Sequence, residues 1–159
     1  VFQPSFDLAF FDENILGWAE GFEKFHQFIA EVGDSEFGFA RLPAPPHRAT
    51  SMRFFRFPAE IDWEDFSSGR EKSPSAWATT FNFHLISRTG NWGIYYAEAC
   101  CIYLLGYANA EVLTAAQSAL DFQGRNLELV ETIDFSGWGG LYEKQERRLK
   151  ELAEEIRRE

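Results

Sequence analysis

Cysteine is nearly missing from this chain: the only two, Cys100 and Cys101, stand side by side. Neighbouring residues on a strand point to opposite faces and a bridge between them would be strained, so the pair reads as buried free thiols. Free thiols fit a reducing compartment, and the expected location is the cytoplasm. Histidine is also scarce. His26, His47 and His84 fall on a predicted helix, in a proline-rich loop and on a predicted strand, and none stands at metal-ligand spacing from another His, Cys or Asp. The pattern calls for no metal and no cofactor. Neither a Gly-x-Ser-x-Gly elbow nor a Ser-x-x-Lys motif occurs, and the two thiols sit in an apolar strand where a thiolate is costly. The sequence spells no nucleophile, which weighs against an enzyme.

Long apolar runs are missing too. The most apolar stretch, NWGIYYAEACCIYLLGY from Asn91 to Tyr107, is shorter than the ~20 residues of a membrane helix and holds Glu98 at its centre. No secretion signal is read at the start. Positive charge is sparse: 15 Lys and Arg against 25 Asp and Glu leave a net charge of −10. Nucleic acids and anionic membrane surfaces are both bound through clustered cations, so neither is expected as a partner. The acidity sits towards the front, where residues 1–40 carry eight acids and one base. Residues 41–76 carry five acids and six bases, and 141–159 six of each.

Aromatic residues fill the space left by these absences. There are 17 Phe, 5 Trp and 5 Tyr among 159 residues, enough to build one core, and residues 1–159 read as a single globular domain. After an extended start, residues 12–33 are predicted to form a helix capped by Asp12 and ended by Gly33. Its apolar stripe is Ile15, Trp18, Phe22, Phe25, Ile29 and Val32. RLPAPPHRATS reads as a connector, MRFFRF as a short strand stopped by Pro58, and AEIDWEDFSSGREKSPS as an acidic, aromatic loop. From Trp77 the period becomes two, which predicts a strand to Ile86, a turn, WGIYYA, a second turn and CCIYLLGY. The last two are apolar on both faces and belong at the centre of an antiparallel meander. Asn109 caps a predicted helix, NLELVETIDF suggests a further strand, and LYEKQERRLKELAEEIRRE is a helix with Tyr142, Leu149, Leu152 and Ile156 on one side. The expected fold is α+β: a central antiparallel sheet, a meander of three to five strands, packed against helices that include N-terminal and C-terminal ones.

Two acidic segments stand out as candidate partner-binding residues. Glu20, Glu23 and Glu31 lie on the polar face of the first helix, and Asp62, Trp63, Glu64 and Asp65 form the EIDWEDF cluster before Phe66. Asp62 and Glu64 would project to one side if extended, the arrangement of a carboxylate pair in sugar chemistry. A recognition loop with aromatic anchors is the preferred reading. Small acidic α+β domains of this kind resemble, in general type and without an alignable motif, the immunity proteins of bacterial toxin systems. That resemblance implies a non-catalytic protein whose acidic surface binds and neutralises a basic partner, such as a toxin. Two other classes remain: a small enzyme or ligand-binding domain with a pocket lined by Trp77, His84, Tyr95 and Tyr103, and a structural module in which exposed aromatics meet a second copy as a homodimer.

Overall fold

The computed structural model describes residues 6–12, 15–41, 53–72, 83–97, 102–132 and 143–158. Chain order is β1 (Asp7–Phe11), α1 (Ala19–Val32), β2 (Glu36–Arg41), β3 (Arg53–Pro58), α2 (Trp63–Lys72), β4 (Phe83–Ser87), β5 (Trp92–Ala97), β6 (Ile102–Tyr107), α3 (Ala110–Leu120), a 3-10 turn (Leu127–Thr132) and α4 (Glu143–Arg158). The fold is α+β. One six-stranded sheet, order β1-β6-β5-β4-β2-β3, is antiparallel at every pairing. Six strands exceed the three to five expected; β1 falls in the extended start, and α1 follows it. The predicted meander is β4-β5-β6, and its two fully apolar strands do lie inside the sheet.

Alternation along each strand divides the core into two layers. Phe11, Phe37, Phe39, Leu85, Trp92, Ile94, Tyr103 and Leu105 face α1, α3 and Phe66 of α2. Phe10, Ala97, Ile102 and Leu104 face the other way, onto Val130 of the 3-10 turn and Leu149, Ala153 and Ile156 of α4. Phe25 meets Phe37 and Trp92 edge-on, at 5.1 and 6.1 Å between centroids, while Phe11 stacks on Tyr103 at 4.9 Å. Aromatic pairs at these separations add ~0.5–1.5 kcal/mol each beyond area burial.

Local chemistry explains where the elements start and stop. Gly33 ends α1 at φ 75, the left-handed geometry that favours glycine, and its N–H donates to the Ala30 carbonyl. Asn109 Oδ1 accepts the Val112 N–H at 3.0 Å, capping α3 as predicted. The start of α1 differs from expectation. The helix begins at Ala19, residues 15–17 form a turn with Ile15 buried, and Trp18 is 66% exposed at the N-cap. Two further expectations are corrected. Leu127–Thr132 is a 3-10 turn, because Asp121, Gly124 and Asn126 all take positive φ and coil the chain before it. The supposed acidic loop contains α2. Trp77, His47, Cys100, Cys101 and the SGWGG segment lie outside the described residues.

A buried carboxylate ties the sheet to α1. Asp34 follows the helix, and its two oxygens accept hydrogen bonds from Ser87 Oγ at 2.7 Å, Thr89 Oγ1 at 3.0 Å and Trp92 Nε1 at 2.8 Å. The three donors flank the β4–β5 turn, so one side chain pins that hairpin against the start of β2.

Candidate functional site

The first turn of α2 is built by its own sequence. Asp62 is the cap: its Oδ1 accepts the Asp65 N–H at 2.7 Å and its carbonyl accepts the Phe66 N–H at 3.0 Å. Glu64 and Asp65 stand in the first turn, where the helix dipole favours negative charge. Phe66 is fully buried, stacks on Phe22 at 4.4 Å and meets Phe57 edge-on at 5.1 Å. Trp63, half-buried, lies tilted against Phe22 at 5.5 Å. These rings lock the start of α2 onto the first half of α1.

That packing brings charges from two helices together. His26 lies one turn beyond Phe22, with its ring 4.3 Å from the Phe22 ring, and its Nε2 is buried without a hydrogen-bond partner. Burial holds the His26 pKa below its ordinary value, while Asp62 on α2 and Glu23 on α1 both pull it back up. One imidazole thus feels carboxylates from both elements. Glu20, Glu23, Asp62, Glu64 and Asp65 are all exposed. Glu31 is exposed as well, but it sits about 12 Å farther along α1 than Glu23, given a ~1.5 Å rise per residue. It accepts a hydrogen bond from Gln27 Nε2 at 2.8 Å.

The carboxylate-pair geometry is not present. Asp62 is committed to capping and the chain turns helical at once, so Asp62 and Glu64 do not share the face that an extended segment would give them. Among the described residues no group of three metal-ligating side chains converges. Of the aromatic pocket in the alternative reading, the described members His84, Tyr95 and Tyr103 do not converge. His84 and Tyr95 stack at 4.9 Å on the face of the sheet away from α1, whereas Tyr103 belongs to the α1 face. His84 is no surface residue: it is 5% exposed, and burial lowers its pKa to about 4.

A concave surface elsewhere went unread in the sequence. On the face opposite α1, Gly38, Phe54, Arg56, Ile86 and Arg88 with Glu36 outline a cleft of about 260 Å³ across β2, β3 and β4. A Cβ at Gly38 would lie 2.5 Å from the Phe54 ring, so the missing side chain is what lets Phe54 lie over β2. The signal was present in RFFRF, where Phe54 and Arg56 alternate with the inward Phe55 and Phe57. Comparison with known proteins finds no protein family, no curated protein and no solved structure that matches the chain.

Proposed function

We propose that this chain is a non-catalytic protein-binding domain of the immunity type, whose acidic α1–α2 surface neutralises a basic partner protein. The observation that carries the reading is the shared environment of His26, where Glu23 and Asp62 from separate helices act on one imidazole. Glu20, Glu64 and Asp65 extend the same field, and Trp63 supplies an aromatic anchor beside it. Carboxylates gathered this way steer a cationic surface and speed its docking more than they hold it. Glu31, also a candidate for the interface, would serve at its rim.

The test compares the wild type with the variant Glu20→Lys, Glu23→Lys, Glu64→Lys, Asp65→Lys, in which Asp62 is kept as the cap. A basic protein that co-purifies with the wild type is titrated against both, at several salt concentrations, and its own toxic activity is followed. Wild-type binding should weaken with salt through a slower on-rate, and the variant should bind at least ~100-fold more weakly and fail to inhibit. Equal affinity of the two proteins would place the interface elsewhere.

A further inference from the structure

One member of the apolar stripe on α1 is out of place. Trp18, Phe22 and His26 follow one another at four-residue steps, so they form a row along one side of the helix. The start of α2 covers the later part of that row, with Trp63 and Phe66 packed on the Phe22 ring and Asp62 acting on His26. Trp18 stands one turn earlier, its carbonyl accepting the Phe22 N–H at 3.1 Å. It is 66% exposed, the most exposed large hydrophobic side chain among the described residues.

Its place in the helix is as telling as its exposure. Trp18 is the N-cap of α1, extended at φ −143 and ψ 160, and its side chain makes no capping hydrogen bond. An indole N–H can only donate, whereas Ser, Thr, Asp or Asn at this position would accept one of the open N–H groups of the first turn. A lone exposed apolar side chain is ordinary. One that also displaces a cap forgoes stability, and such departures from local preference gather where function is. The acids lie close by: Glu20 is two residues on, and Glu23 is about 8 Å along the helix axis from Trp18, given a ~1.5 Å rise per residue. Glu64 and Asp65 stand in the first turn of α2, and all four are exposed.

We propose that Trp18 is a second aromatic anchor of the acidic surface and that it selects arginine over lysine in the basic partner, an inference that rests on the function proposed above. A guanidinium is planar and weakly hydrated, so it stacks on an indole face while its N–H fork pairs with a carboxylate. An ammonium is a compact, strongly hydrated point charge and gains less from the ring. Tryptophan is the aromatic side chain that attracts cations best, and it is among the residues that most often dominate an interface. The carboxylates draw the partner in, and Trp18 decides which cation is kept.

The experiment titrates isotope-labelled protein at low salt with two capped octapeptides, one alternating arginine with glycine and the other lysine with glycine. Backbone amides and the Trp18 indole N–H are followed. The arginine peptide should bind about fivefold more tightly and shift the Trp18 indole together with amides of residues 20–23 and 62–65. In Trp18→Ala the preference should vanish while the lysine peptide binds as before. Trp18→Ser should lose the preference without lowering the urea midpoint, which an indole needed only for the fold would not allow. The variant Glu20→Lys, Glu23→Lys, Glu64→Lys, Asp65→Lys should lose both peptides. Equal binding of the two peptides by the wild type overturns the inference and leaves the acidic surface standing, as does a preference retained in Trp18→Ser or lost there only together with the urea midpoint. If the charge-reversed variant binds both peptides as the wild type does, or if neither binds the wild type at millimolar concentration, the acidic-surface reading falls and this inference with it.

Discussion

His84 is a histidine kept neutral. Burial against Tyr95 lowers its pKa from an ordinary 6.5 to about 4, so protonation favours the unfolded chain. Its contribution is full above pH 6.5 and is lost as the pH falls towards 4, reaching roughly 3 kcal/mol by linkage. His26, also lowered, adds a slope of the same sign that Asp62 and Glu23 reduce. Urea midpoints measured between pH 7 and pH 4 should fall steeply for the wild type and less steeply for His84→Phe. At this scale sequence was a partial guide. The alternation around His84 placed it on a strand but gave no hint of its burial, which depends on what covers that face. Asp34 was invisible for a related reason: Ser87, Thr89 and Trp92 reach it from 53 to 58 residues away.

Elements were legible where their own residues decide them. Gly33 ends α1 and Asn109 caps α3 through local bonds, and both were read correctly. α2 was misread because it offers only Trp63 and Phe66 as apolar residues and contains Gly69, so periodicity is weak. Its cap, an Asp with acids two and three residues later, was the available signal. Asp62→Ala should therefore cost about 1 kcal/mol, with Asp62→Asn nearly neutral, and the loss should appear as lower far-ultraviolet helicity together with an earlier urea midpoint. β2 escaped notice because it is short and carries Gly38 at its centre. Glu23 and Asp62 meet at His26 because Phe22, Phe66 and Trp63 pack together and join segments that the sequence keeps apart.

Across the whole molecule, the sheet is covered unequally. The α1 face is closed by α1, α3 and Phe66, whereas α4 and the 3-10 turn cover the opposite face around β1, β6 and β5. α4 is held there by Leu149, Ala153 and Ile156 and by an ion pair from Arg157 to Glu131 at 2.7 Å. That exposed pair contributes under ~1 kcal/mol, so burial is what fixes the helix. Leu149→Ala should lower stability by ~2–4 kcal/mol in urea unfolding, a cost set by the cavity left over Phe10 and Leu104. Charge was the global property most readable in advance, since −10 required no structure.

The pairing of β1 with β6 has a consequence in time. Phe11 lies opposite Tyr103 and Asp7 opposite Tyr107, so a strand made near the beginning waits for one made much later. At ~5–20 residues per second, the wait during synthesis is roughly 5–20 s. Ala9, Phe10 and Phe11 spend that interval with no strand to lie on, and the pace of translation sets its length.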